Sequence, residues 1–457
     1  FFLFLLNGLD RNGFKKVLTV ASAAAAILSI FGVAQYFGWA RTWVPTAGLP
    51  SATLGHRNIA AAYLVGMLPL TFWVWYNCKR SSSILIWGAA LGFEGAFLLA
   101  TRSRGAWVGL AFGLSCVGVL GVIYGWSQFR AGLKSLASGP RLAALSAAFL
   151  LTFGLGTFPA EIQKGVGEAM WDNKQSIQGA VSSVFHDDGD RGRLTMWKRT
   201  LEMVSARPII GVGAGNWRLA YPAFAQGDLM DPGTVSHRPH NDLLWIWAEM
   251  GTLGLALYLF LLYTAGRMGI ALLKKPERRL IGGVLICAAL GAVVNSLFSF
   301  PREFPAAWLP FYLSLAGISL LSPMREKRGP WIRGLIYGAA AVLVAGIWLN
   351  ARQIGFDRHA LQLRLALVES RWSEAIQEAR SALSWGAFDE DAFFMRGRAY
   401  DALGMHGQAL ADFEQGLAYH PNSPGMWNGF GDALRGTGDT ESALEAYGRA
   451  LKLNPRS

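Results

Sequence analysis

Two groups of side chains in this sequence have the types and spacing for chemistry at a membrane edge. The first lies in "HRPHNDLLWIWAEMGTLGL", residues 237–255, where His237, Arg238, His240, Asn241 and Asp242 run directly into a segment apolar enough to enter a bilayer, with Glu249 inside it. Asn241 or Asp242 suits the N-cap of that segment's helix, which leaves His240 just outside the first turn. Exposed amides and the positive end of the helix dipole favour an anion there. Neighbouring arginines disfavour protonation of the imidazole, so His240 is suited to act as a base near neutral pH; a capping histidine without chemistry is the alternative. Glu249 is not its partner: nine residues of helical rise place it roughly 13 Å deeper and about half a revolution round. It is expected to pair with a cation on another helix or to support the structure.

The second group is a set of arginines in short turns of one side: Arg41 and Arg57, then Arg102 and Arg104 in "TRSRG", then Arg302 in "FPREF". These turns contain no lysine. A guanidinium grips phosphate oxygens with two parallel hydrogen bonds, where an ammonium acts as a point charge. An anionic ligand accounts for that choice; snorkelling to lipid phosphates, or pairing with Glu94, Glu249 or Glu303, is the other reading.

The elements that must position these residues are membrane helices. The 457 residues are 52% hydrophobic and only 16% charged, against roughly a quarter charged in soluble domains. Apolar runs of about 20 residues lie at approximately 17–38, 57–77, 84–101, 105–125, 142–158, 243–264, 280–299, 304–321 and 332–350. The predicted fold class is therefore all-α, a polytopic membrane protein of about nine spans. The opening "FFLFLLNGLDRNGFKK" begins inside an apolar run without a preceding charge, so it reads as the tail of an earlier helix rather than a signal peptide, and the chain as an N-terminally truncated fragment. Lysine and arginine collect in alternate loops, at Lys15 and Lys16, Lys79 and Arg80, Arg130 to Arg141, Lys274 to Arg279, and Arg325 to Arg333. The positive-inside rule makes these cytoplasmic. The arginine turns, the long loop 159–241 and everything after about residue 351 then face outward. Net charge is +12, but its loop distribution speaks for a membrane and not for nucleic acid.

In the long loop, "RGRLTMWKRTLEMVSARPIIGVGAGNW" predicts an amphipathic helix over Leu194–Ser205, stopped by Pro208, with Leu194, Trp197, Leu201 and Val204 as its apolar stripe. Arg191, Arg193 and Arg199 remain available to a ligand. "GVGAGN" follows no strand, so it reads as a tight turn and not a dinucleotide site. Cys78, Cys116 and Cys287 lie in or beside apolar runs without CxxC spacing and read as packing residues. No Asp or Glu set in the outer loops has metal-ligand spacing, and "HDDGD" at 186–190 reads as a solvated turn. Neither metal nor cofactor is expected.

The remaining chain, 351–457, repeats. Trp427 falls 34 positions after Phe393 and Pro455 falls 34 after Pro421, with Gly397/Gly431, Ala409/Ala443 and Phe413/Tyr447 in register, the tetratricopeptide period. Repeats are placed at about 390–423 and 424–457, with a degenerate one at about 356–389. Such stacks bind partners on a concave face.

Four stretches together resemble the O-antigen ligase and O-antigen polymerase superfamily, which includes protein O-oligosaccharyltransferases: "LGHRNIAAAYLVGMLPL", "TRSRGAWVGL", "RLTMWKRTLEMVSARPIIGVGAGNW" and "HNDLLWIWAEMGTLGL". Their order around one large outer loop carries the likeness, which covers about 17–321 of a transmembrane domain placed at 1–350. The resemblance implies transfer of a glycan from a polyprenyl (undecaprenyl) pyrophosphate carrier to an acceptor hydroxyl at the outer face of the bacterial inner membrane, in cell-surface polysaccharide synthesis. By position, His240 matches the histidine that activates the hydroxyl, and Arg104 and Arg193 match arginines that hold the pyrophosphate. Arg102, Arg57, Arg238 and then His237 are candidates by proximity. Asn58 and Asn241 match recurring asparagines, with a structural or substrate-orienting role; Glu249 is expected to be structural support. The acceptor separates a ligase (lipid) from a polymerase (glycan) and a protein glycosylating enzyme. The ligase is preferred because nothing marks a pilin-type acceptor site. A rival of another class is a non-catalytic transporter or scaffold, with the tetratricopeptide tail recruiting a protein; it predicts charges spread through the membrane depth, whereas here they gather on one rim.

Overall fold

The computed structural model describes residues 10–39, 43–44, 50–137, 139–157, 192–225, 238–322, 331–386 and 389–455. His237, Arg41, Arg191 and the "HDDGD" turn lie outside these residues. Every regular element among them is helical. The chain is an all-α polytopic membrane protein with C-terminal helical repeats. Among the described residues, seven helices are long and apolar enough to cross a membrane. Of the other two expected runs, 304–321 forms a shorter apolar helix, Pro305–Leu321. Run 332–350 lies inside one 38-residue helix, Trp331–Val368, that continues unbroken into the repeat region.

Two compact units are built from discontinuous segments. The first holds α1 (Arg11–Tyr36), α2 (Arg57–Tyr76), α3 (Ser81–Ala100), α4 (Arg104–Leu136), α5 (Gly139–Thr157), the two ends of α8 (Asp242–Leu273), α9 (Arg279–Ser296) and α10 (Pro305–Leu321). Because hydrocarbon offers no partner to backbone groups, each span closes its own hydrogen bonds as a helix. Its core joins Phe14 and Leu18 of α1, Leu64, Met67 and Leu70 of α2, and Phe97 of α3, with Leu285 of α9 and Leu313 of α10. Helices in lipid associate through small residues that let backbones approach. Thus a Cβ on Gly109 of α4 would stand 2.5 Å from the Gly291 carbonyl of α9. Side chains that stay hydrophobic but exposed, such as Ile27, Phe149, Leu257 and Phe260, are the surface such a bundle turns to lipid.

The second unit contains α6 (Arg193–Ala206), α7 (Trp217–Ala225), the 244–254 part of α8, α11 (Trp331–Val368), and the repeat helices α12 (Trp372–Trp385), α13 (Glu390–Ala402), α14 (His406–Tyr419), α15 (Pro424–Thr437) and α16 (Thr440–Leu453). The repeats pack as helical hairpins around Phe393, Tyr400, Phe413 and Met426. A half-buried ion pair locks α13 to α14, with Arg396 Nε donating to Asp412 Oδ2 at 2.8 Å. Asn422, between α14 and α15, donates from Nδ2 to the Leu219 carbonyl of α7 at 2.9 Å, which ties the repeats to the loop helices.

Candidate functional site

α8 begins at Asp242, so Asn241 holds the position before the first helical residue and His240 stands outside it. His240 has φ +54°, one of four non-glycine residues with positive φ among those described. A left-handed side-chain-bearing residue is uncommon, and such conformations persist only where the surroundings enforce them. Part of those surroundings is the turn between α9 and α10, which contains a single 3-10 turn, Pro301–Glu303. Phe300 packs edge-on to the imidazole with ring centroids 4.8 Å apart. Asp242, only 1% exposed, accepts a hydrogen bond from the Arg302 backbone N–H at 3.4 Å, and its Oδ1 lies 3.8 Å from Arg302 Nε. Burial of a carboxylate at the first turn is tolerable because the helix N-terminus and this guanidinium both offset its charge. Sequence reading assigned Asp242 only a capping role and grouped Arg302 with the other turn arginines. Their pairing joins positions 60 apart, and periodicity carries no signal of it.

The membrane unit places the turns of Arg57, Arg104 and Arg302 at the same end of the bundle as His240. α2 and α4 both begin there, with Arg57 and Arg104 as their first residues, half-buried and engaged in contacts. Gly105, beside Arg104, lies against Phe298, where a Cβ would be 2.8 Å from that side chain. His56 caps α2, its Nδ1 accepting from the backbone N–H of Asn58 at 3.1 Å. This contact uses Asn58's main chain, not its amide side chain.

Arg102 departs from expectation. Instead of facing a ligand, its guanidinium is turned inward: Nη1 donates to the carbonyls of Leu99 and Gly156, each at 2.8 Å, and Nη2 donates to the Tyr36 hydroxyl at 2.8 Å. Those carbonyls are at the C-terminal ends of α3 and α5, which lack partners within their own helices. Burial pushes the Arg102 pKa below its ordinary value, and the Tyr36 interaction opposes that. Arg102 is a clamp on three helices.

In the second unit, the amphipathic helix of the loop forms as α6, Arg193–Ala206, and Arg193 is its first residue, half-buried. Its buried face is not the predicted stripe. Met196, Thr200 and Met203 are buried with Val204, while Leu194 and Leu201 are 63% and 44% exposed. The packing face is rotated by about a quarter turn because α7 determines it: the indole of Trp217 is buried and donates to Thr200 Oγ1 at 3.3 Å. Trp197 Nε1 instead donates to the carbonyl of Pro239 at 2.7 Å, the residue preceding His240 in the chain. Arg238, half-buried, belongs to this unit.

Glu249 is 5% exposed and accepts from the backbone N–H of Trp217 at 3.1 Å, at the N-terminus of α7. Of the two expected roles, structural support describes this contact, since the partner is a main-chain amide rather than a cation. Two residues on, α8 breaks: Gly251 has φ +65° and ψ −171°. The glycine turn after α6 fills the break. Val212 N–H donates to Ala248 O at 3.0 Å and Gly213 N–H to Glu249 O at 2.9 Å, while Pro208 O accepts from Thr252 N–H at 2.8 Å. A broken helix at membrane depth survives only where such partners re-satisfy its backbone. "GVGAGN" is thus a turn, as expected, and also the plug of a discontinuous helix.

Glu94, buried within α3, accepts from Thr71 Oγ1 of α2 at 2.8 Å. No group of three or more His, Cys, Asp or Glu among the described residues could hold a metal ion. The three cysteines are free thiols.

Fold and site together define a helical membrane protein in which polar residues stand at the entry of a broken helix and the C-terminal helices repeat. Residues 87–259 match the family described as O-antigen ligase, and 391–423 and 424–457 each match a tetratricopeptide repeat family. The ligase-type match therefore precedes the repeat matches along the chain. It is similar to the O-antigen ligase of Salmonella typhimurium (strain LT2), at 27% identity over 219 residues. That match covers 47% of this chain and 46% of the relative, so the chain spans about half the length of the curated relative it matches.

Proposed function

We propose that this protein transfers a glycan from a polyprenyl pyrophosphate carrier to an acceptor hydroxyl at the outer face of the bacterial inner membrane, in the manner of an O-antigen ligase. The observation that carries the reading is the strained His240, held at the mouth of α8 beside Phe300 and the Asp242–Arg302 pair. His240 removes the proton of the acceptor hydroxyl as its oxygen attacks the anomeric carbon. The bond from that carbon to the pyrophosphate oxygen breaks, and the leaving group carries away the electron pair. Arg104 and Arg193 hold the pyrophosphate and stabilise its growing charge, as fixed donors do wherever charge develops in a transition state; Arg57 and Arg238 assist. Asn58 and Asn241 orient the turns, and Glu249 supports the loop. The donor is already activated, so the step requires neither nucleotide nor metal. A transmembrane domain over 1–350 performs this chemistry, with the repeats of 351–457 outside the membrane as a docking surface for a protein partner.

The test is transfer by purified full-length protein from a polyprenyl pyrophosphate glycan to lipid, glycan and peptide acceptors. His240→Ala is expected to lower the rate by about 10²–10⁴, the usual worth of a general base. Arg104→Ala is expected to lower it with donor analogue binding also weakened. Undiminished transfer by His240→Ala would remove the base assignment, and absence of transfer to every acceptor would favour a scaffold.

A further inference from the structure

At the other end of the membrane unit, α2 and α4 end, α3 and α9 begin, and α8 terminates. Between them lies a cavity of about 600 Å³, walled by apolar side chains including Leu68, Leu110, Leu114 and Cys287, with Arg279 at its mouth. It runs from Arg279 to Cys287 along α9 and, in the part of α4 before its kink at Gly125, from Tyr124 to Leu110; Gly132 and Leu136, past the kink, also line it. The two runs are roughly 12 Å and 21 Å at the helical rise, which bracket half of the ~30 Å hydrocarbon core. Its depth is therefore that of one leaflet.

The mouth is strongly basic. Exposed Lys79, Arg80, Lys274 and Lys275 stand in the turns at this end and exposed Arg130 and Lys134 on the last part of α4, and Glu277 is the sole acid among the described residues of 77–80, 126–141 and 274–279. Arg279 Nε donates to the Leu273 carbonyl at 2.8 Å, which fixes the guanidinium at the rim. Arg141 Nη2 likewise donates to the Tyr76 carbonyl at 3.1 Å and its guanidinium lies over the Tyr76 ring, 5.0 Å from the centroid.

We propose that this cavity is a binding site for an anionic phospholipid of the leaflet at the lysine-bearing end, with one acyl chain inside and the phosphate among the basic side chains. An apolar slot one leaflet deep selects a chain anchored at the interface, and the ring of positive charge selects an anionic head group over a zwitterionic one. The site is separate from the His240 rim, so it stands whether or not glycan transfer does.

Native mass spectrometry of the full chain, released from nanodiscs containing phosphatidylglycerol and phosphatidylethanolamine at equal mole fraction, tests it. The wild type is expected to retain phosphatidylglycerol with about five-fold preference, the worth of roughly one basic residue at an anionic surface. Gly132→Trp is expected to abolish retention, because a Cβ there meets only the Tyr76 hydroxyl, at 3.9 Å, and the indole grows into the slot. Lys274→Gln with Lys275→Gln is expected to bring the two lipids towards parity. Equal retention by the wild type, or unchanged retention in Gly132→Trp, overturns the proposal. So does displacement of phosphatidylglycerol by polyprenyl phosphate, which would assign the slot to an isoprenoid chain. If Gly132→Trp fails to fold, unchanged preference in the exposed lysine pair variant overturns it alone.

Discussion

Gly251→Ala probes the joint on which the loop and the broken helix depend. At φ +65° and ψ −171° the backbone occupies a region open essentially only to glycine, and a side-chain-bearing residue there costs about 1–3 kcal/mol. The space is also closed: an added Cβ would stand 2.1 Å from the Ile209 carbonyl oxygen. Relief of that overlap must separate the two strands of backbone, and the bonds nearest the clash go first. These are Thr252 N–H to Pro208 O at 2.8 Å and Leu253 N–H to Ile209 O at 3.4 Å, worth about 1 kcal/mol each. A local loss of at least about 3 kcal/mol follows, which accelerates amide exchange in 208–213 and 248–253 by at least about 100-fold. Hydrogen–deuterium exchange of the detergent-solubilised protein reads this directly. Gly215→Ala is the control: it has φ +80° but nothing within 4 Å of the added Cβ, so only the left-handed penalty of about 1–2 kcal/mol applies. Exchange in Gly251→Ala at the wild-type rate, or no faster than in Gly215→Ala, would refute the reasoning.

Other substitutions separate support from chemistry. Glu249→Ala removes the acceptor of the Trp217 amide and is expected to cost about 1.5–3 kcal/mol, as for a hydrogen bond to a charged group. Glu249→Gln keeps an acceptor oxygen and recovers most of it, measured as protection of the α7 amides; equal losses in the two variants would show that the contact is not the cause. Arg102→Lys retains the charge but not the planar fork that reaches Leu99, Gly156 and Tyr36; the Leu99 carbonyl keeps the residue's own backbone N–H, so the expected loss is about 1–3 kcal/mol, from the unmet buried Gly156 carbonyl, seen as a lower Tm. In the repeats, burial raises the Asp389 carboxyl above its ordinary range, against the stabilising hydrogen bond from the Ala392 N–H. A raised carboxyl favours the protonated folded state, so its contribution is full below the unfolded pKa of about 3.9 and is lost as pH rises through the folded value. Asp389→Asn keeps the N-cap without the charge; it is expected to melt higher than wild type at pH 7, with the gap closing as pH falls towards about 4. A variant less stable at every pH would contradict the sign.

The legible parts were those with a local cause. Helices over Arg57–Tyr76 and Ser81–Ala100 follow from apolar runs that must close their own hydrogen bonds in lipid. The repeat helices follow from a period visible in Gly397 and Gly431. The entry of α8 at Asp242 follows from the polar residues before it. The α6 boundaries were close for the same reason, since Pro208 ends the run, whereas its buried face was misplaced because hydrophobicity does not reveal that Thr200 will receive the Trp217 indole.

Composition, charge alternation and periodicity by themselves determined that this chain crosses a membrane many times, carries a polar rim at His240 and ends in tetratricopeptide repeats. Tertiary structure alone decided which of the polar residues are spent on the fold. Arg102 and Arg104 differ by two positions and look alike in sequence; only the approach of the α5 end and Tyr36 turns the first inward. Glu249 is an acid in an apolar run until the glycine turn after α6 arrives to cross the break at Gly251. The physical reason is common to both: a long-range hydrogen bond depends on where another segment of backbone comes to rest, and no local pattern of side chains encodes that position.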